Sequence, residues 1–227
     1  MFNVCRITIF LYIFSHTITQ IHGRDRVNSI SFAKVGENRR PILTTEQEIS
    51  CDTLLLSVGL IPENELSKKA DVEMDPITGG PVVNEIMESS VKGIFACGNV
   101  VHVHDLVDNV TKESELAGRN AAHYILSQIK PAVQNIKLRN GSGVAYVVPQ
   151  IIHPGNMEEQ LTLYLRVKNI YKSARLNAKM GERVLRSSKK LIMVPGEMQT
   201  ITMKKDELLK SGEEPLVIEI VEEGESK

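Results

Sequence analysis

One stretch, GIFACGNVVHVHD, Gly93 to Asp105, sets a cysteine, two histidines and an aspartate close together where an apolar run stops at Gly98 and Asn99. A glycine lets another group come close to the backbone, and the short amide side chain of Asn99 can hydrogen-bond a hydroxyl of that group. A plain strand end followed by a turn accounts for the same residues, so spacing alone leaves both readings open. His102, His104 and Asp105 follow. Alternate residues of an extended segment face one way, and two imidazoles with a carboxylate suit zinc or iron. No further His or Cys cluster completes such a set, so no metal is assigned, and a loop histidine available for proton transfer is preferred. The three cysteines, Cys5, Cys51 and Cys97, are scattered, leave an odd number and form no CxxC. Cys97, in a predicted strand, reads as an inert core thiol. No catalytic residue is assigned.

The elements that must position these residues can be read from periodicity and punctuation. Strands are predicted over Arg6 to Phe14, Ile18 to Ile21, Val27 to Val35 and Thr53 to Val58, with GRDR and RRPILTTEQEIS as hairpin connections. The run CDTLLLSVG is apolar on both faces, as a central strand covered on each side would be, and it ends at Gly59 and Pro62. A short helix is predicted over Glu63 to Ala70, and Gly79-Gly80 in DPITGGPVV reads as a tight turn between two extended pieces. GIFACG reads as a strand and Lys112 to Ile129 as a helix. Thr111 is its expected N-cap, with Glu113 and Glu115 in the first turn, where the helix dipole favours negative charge. Leu116, Ala117, Asn120, Ala121, Ala122, His123 and Tyr124 supply a small-residue face, and Pro131 ends the helix. Strand, loop and helix in that order place ligands at strand carboxyl ends, beside unpaired helix amides.

Composition removes several classes. With 227 residues, 42% hydrophobic content and a net charge of −1, the chain can bury one or two ordinary cores and shows no electrostatic footprint for nucleic acid or an anionic membrane. The basic cluster from Arg183 to Lys190 is interrupted and reads as a solvated strand face. MFNVCRITIFLYIF is too short to span a bilayer and lacks a convincing cleavage site; a buried strand over Ile7 to Ile13 is the competing reading. A reduced, cytoplasmic setting is expected. From Gly143 onward, GVAYVVPQII, EQLTLYLRVKN, ARLNAKM, ERVLRSSKKLIMV, MQTITMK and PLVIEIVEE predict short strands of a β-sandwich or barrel-like module, with Leu161, Leu163, Leu165 and Val167 inward.

The ordered series VGLIP, GGPVV, a serine pair and GIFACGN, spread over roughly Ile18 to Ile129, resembles the C-terminal stretch of the pyridine nucleotide-disulfide oxidoreductase superfamily of flavoproteins. Within it, GNVVHVHDLVD is similar to NAD(P)/FAD-dependent oxidoreductases that accompany anaerobic glycerol-3-phosphate dehydrogenase. The resemblance implies an α/β, Rossmann-like two-dinucleotide-binding fold, here incomplete, followed by the small all-β domain. It implies residues 1–49 as the end of an NAD(P)H-binding domain, 50–131 as the last part of an FAD-binding domain and 132–227 as the β module, with the native status of the first fourteen residues open.

The resemblance also implies roles. Gly98 and Asn99 match the family's Gly-Asp pair, whose acid binds the ribityl chain of FAD; Asn99 loses the charge but keeps an acceptor. Val110 and Thr111 match the start of the helix whose amides face the flavin pyrimidine oxygen, and Gly59 matches the return from one nucleotide domain to the other. FAD is thus the expected cofactor, with NAD(P)H as electron donor. No GxGxxG follows any strand, and the family places both such loops upstream of this stretch. The expectation is therefore a truncated or split oxidoreductase completed by an upstream half or partner subunit, without nucleic-acid or membrane partners. The alternative is a noncatalytic fragment acting as an interaction module through its β domain.

Overall fold

The computed structural model describes residues 12–57, 59–210, 212 and 214–222, which divide into two compact units, residues 1–59 and 60–227. In the first unit, β1 (His16–His22), β2 (Ser29–Lys34) and β3 (Gln47–Ser50) form an antiparallel sheet in the order β1-β2-β3. GRDR makes the β1–β2 hairpin as its turn chemistry predicts. RRPILTTEQEIS does more than connect, because its last residues pair with β2 as a third strand. The burial of β2 does not alternate throughout: adjacent Phe32 and Ala33, on opposite faces, are both buried.

Two strand expectations fail here. Thr53 to Ser57 form no strand, and Leu55 and Leu56 are exposed, while Val58 lies outside the described residues. An apolar run becomes a central strand only when neighbours pair with its backbone and layers cover both faces, and no described strand does either. Of the strand expected over Arg6 to Phe14, residues 6–11 lie outside the described part, as does Cys5; Tyr12, Ile13 and Phe14 are unpaired and exposed.

The second unit opens with α1 (Glu65–Lys69), close to its predicted place, and reaches α2 (Val107–Ile125) through turns held by isolated bridges. DPITGGPVV is such a turn: Asp75 Oδ1 accepts the N–H groups of Ile77 and Thr78, Gly79 has φ +71°, and Met74 bridges Pro81. GIFACG is not a strand; only Phe95 bridges, to Glu88. Gly93 and Gly98, at φ +83° and +70°, turn the backbone out of the extended conformation at both ends of the run. The helix begins earlier than its sequence suggests. Leu106 is the N-cap without a side-chain bond, and Thr111 lies inside the helix, its hydroxyl donating to Val107 O at 3.1 Å.

The C-terminal strands follow the predicted series closely. They are β4 (Ile136–Asn140), β5 (Val144–Val148), β6 (Ile151–Ile152), β7 (Gln160–Val167), β8 (Tyr171–Met180), β9 (Arg183–Met193), β10 (Gln199–Lys204) and β11 (Leu216–Glu222), with α3 (Lys205–Leu209) after β10. Two sheets result, ordered β10-β7-β5 and β6-β4-β11-β8-β9, and their inward residues share one core that includes Leu163, Leu165, Leu176, Met203 and Ile218. Each such wholly buried side chain contributes about 1.5–3 kcal/mol of transfer free energy.

A second, smaller cluster joins Val83, Met87, Val101 and Ala117 to Tyr146 and Val148. Strand β5 therefore serves both: Val144 and Val147 face the sandwich, while Tyr146 and Val148 face α2. A register irregularity between Val144 and Tyr146 breaks strict alternation and sets Tyr146 on that side.

Candidate functional site

The turn from Gly98 to Val100, where the sequence expects a strand to end, is tied down from three directions. Gly98 is buried at φ +70°, and a Cβ placed there would lie 3.1 Å from Val110 Cγ1. Its N–H donates to Glu113 Oε2 at 2.9 Å. Buried Asn64, from the LIPEN segment, donates through Nδ2 to Gly79 O at 3.1 Å and Val100 O at 2.7 Å. At Gly80 a Cβ would fall 1.9 Å from Val101 O, so the backbones approach as closely as glycine alone permits. Three segments separated in sequence thus meet at one loop.

Asn99 is exposed, and its Oδ1 accepts the His104 N–H at 3.1 Å. The acceptor that the sequence offers to a ligand is thereby engaged, and the outward group is the Nδ2 donor, which has no protein partner among the described residues. Val110 is half-buried against Gly98, and Thr111 is exposed. Both sit one turn inside α2. The Asn109 N–H turns back to Leu106 O, leaving the amides of Val107 and Asp108 without an intrahelical acceptor. Gly59 belongs to the other unit, at φ +86° with open space where a Cβ would be. Cys97 is a free thiol, only partly buried and outside any strand, which corrects the core-strand reading.

The histidines of HVHD are buried, and the carboxylate beside them is not Asp105. Asp105 pairs with Arg166 of β7, whose guanidinium also donates to Val103 O at 3.1 Å and Tyr146 Oη at 3.2 Å. Glu113 of α2 instead reaches the histidines: His102 Nε2 lies 2.7 Å from Oε1, and His104 Nε2 lies 3.0 Å from Oε2. The second contact is misaligned for a hydrogen bond, and both ring nitrogens of His104, with Nδ1 of His102, have no protein partner among the described residues. The two imidazoles are 4.2 Å apart and packed against Tyr146 and Tyr164.

Burial pushes the Glu113 carboxyl up, but the hydrogen bond with His102 and the adjoining His104 imidazole outweigh that and hold it at about 2. Burial lowers His102 against the opposing pull of Glu113. The site thus holds a buried carboxylate facing two buried imidazoles, with His102 biased by burial toward its neutral form. The sequence alone places Glu113 in the first turn as a dipole residue; the structure places it on the buried face of α2. The signal for its true place was spacing, since Glu113, Ala117 and Asn120 stand at i, i+4 and i+7 on the buried face of α2.

Comparison with known proteins follows this geometry. The family described as Pyridine nucleotide-disulphide oxidoreductase matches residues 12–134, just over half of the chain. The chain is 33% identical over 112 residues to a thioredoxin reductase of Treponema pallidum, covering 48% of this chain and 33% of that protein. It is 32% identical over 117 residues to a mitochondrial dihydrolipoyl dehydrogenase of Caenorhabditis elegans, covering 51% and 22% respectively. An NADH oxidase of Enterococcus faecalis is 35% identical over 89 residues, covering 35% and 20%. The matched part therefore spans a third or less of these relatives, and β4 through β11 lie beyond the family match. No helix among the described residues is long and apolar enough to cross a membrane.

Proposed function

Because this chain belongs to the pyridine nucleotide-disulphide oxidoreductase family, we propose that it is part of an FAD-dependent oxidoreductase moving electrons from NAD(P)H through flavin to an acceptor. The observation that carries this reading is the convergence of Asn64, Gly79-Gly80 and Gly98 to Val101 beside the uncapped start of α2. Those residues fit a flavin. Gly98 presents no side chain, Asn99 offers an outward amide donor, and Val107 and Asp108 keep free amides at the positive end of a helix.

FAD bound there would supply the hydride and electron chemistry. The protein's share is placement. The Glu113 carboxylate holds the Gly98 N–H and fixes the loop, Asn99 hydrogen-bonds a ribityl hydroxyl, and the α2 amides favour negative charge at the pyrimidine edge. Gly59 and residues 1–49 then belong to the return from the NAD(P)H-binding side, with 132–227 as an appended β module. Other polypeptide, upstream or in a partner subunit, supplies both glycine-rich pyrophosphate loops. The likeness of GNVVHVHDLVD supports the kind of flavoprotein that accompanies anaerobic glycerol-3-phosphate dehydrogenase.

An absorption spectrum of the purified chain, before and after adding FAD and gel filtration, tests the proposal. Retained flavin bands that vanish in Gly98→Val are the expected result. A folded chain whose Gly98 and Asn99 amide NMR signals do not move as FAD is titrated sinks it and leaves a noncatalytic interaction module acting through the β domain.

A further inference from the structure

We propose that His102, His104 and Glu113 bind one divalent transition-metal ion of the zinc, iron or cobalt class. One ligand atom from each of the three residues lies within 4.8 Å of the other two, and all three side chains are buried. Imidazole nitrogens and a carboxylate oxygen are the donors that such ions prefer, and three protein ligands leave a coordination position for a further group.

A hydrogen-bonded cluster explains only part of the arrangement. Glu113 Oε1 serves His102, and Oε2 already accepts the Gly98 N–H, so the carboxylate has no aligned lone pair for His104. A buried imidazole with neither nitrogen partnered leaves its desolvation cost unrecovered. An ion shared among the three gives His104 the partner it lacks and replaces the single bond of His102. The Gly98 N–H would orient the ligating carboxylate from behind, as outer hydrogen bonds do for metal ligands. A cleft of about 260 Å³ bordered by Glu85, Lys112, Glu113, Leu116 and Tyr164 offers an approach to the carboxylate.

Co(II) titrated into the purified full chain, with the protein then passed through gel filtration, provides the test. The expected result is one retained equivalent with visible ligand-field absorption, displaced by Zn(II). Affinity should fall by at least about a hundredfold in His104→Ala, and stay unchanged in Asp105→Asn, whose carboxylate is adjacent in sequence but committed to Arg166. Wild-type protein that is folded and retains no more cobalt than His102→Ala/His104→Ala overturns the proposal, as does an equal loss in Asp105→Asn. Should the double variant not fold, histidine nitrogen NMR of the wild type decides. Paramagnetic shifts confined to His102 and His104 support the site, and shifts confined to other histidines overturn it.

Discussion

Gly98 holds a backbone conformation and a contact that together exclude a side chain. At φ +70° an alanine is strained, and its methyl would press on Val110 at 3.1 Å. Gly98→Ala is expected to cost about 1–3 kcal/mol in urea unfolding and to weaken flavin retention; an unchanged midpoint would show that the loop adjusts freely. A different residue pair carries a pH signature. The His153 N–H donates to Glu85 Oε2 at 2.7 Å, its Nδ1 lies 3.3 Å from the same oxygen, and this bond raises the imidazole above its usual value despite burial. A raised folded-state value means that the stabilisation is fully present below about pH 6.5 and is lost as pH rises through the folded value. His153→Gln should therefore destabilise by about 1 kcal/mol at pH 5.5 and by less at pH 8.5. An equal loss at both values would assign the effect to packing. Sequence showed Gly98, Asn99 and the two histidines, but it paired the histidines with the wrong acid. Adjacency suggested Asp105, whereas an extended loop turning back onto α2 selected Glu113, and only the helical spacing of Glu113 with Ala117 carried that information.

Elements here are positioned by a few bonds across long sequence separations. Asn64 joins the GGPVV turn to the GNVV turn with two bonds from one buried amide. Asn64→Ala leaves both carbonyls without that donor and should cost about 1–3 kcal/mol. Flavin affinity should fall with it, because Val100 follows Asn99 directly; loss of stability with flavin affinity intact would separate the two turns functionally. The strands of the β module were legible because each reads as a short branched or alternating run between glycine-rich turns, and Leu161, Leu163, Leu165 and Val167 are indeed buried. Strand β4 escaped notice because IKLRN is mostly polar and takes its strand character from pairing with β11 and β6. The start of α2 was placed too late for a related reason. DNVT carries turn-forming residues, yet no cap side chain marks the true beginning at Leu106.

At the scale of the molecule, the site segment and the β module are one packing problem. Tyr146 and Val148 of β5 complete the cluster around Val83, Val101 and Ala117, and Tyr164 and Arg166 of β7 pack on or bind the histidine loop. The composition change near Pro131 marks a difference in secondary structure without showing where burial ends, because a strand's second face is visible only once its partners are placed. Leu163, wholly buried in the sandwich, tests how far the two parts share stability: Leu163→Ala should cost about 2–5 kcal/mol and lower the single unfolding midpoint of residues 60–227. Cutting the chain tests the same coupling more directly. A chain ending at residue 131 loses Tyr146, Val148, Tyr164 and Arg166 together, exposing the apolar cluster and leaving buried His102 and His104 uncovered. Circular dichroism in urea should show no cooperative transition for that truncation, whereas a fragment of residues 60–227 should unfold in one step. Cooperative unfolding of the shorter chain would mean that the flavin-type segment is stable without the β module, and that β5 merely rests against it.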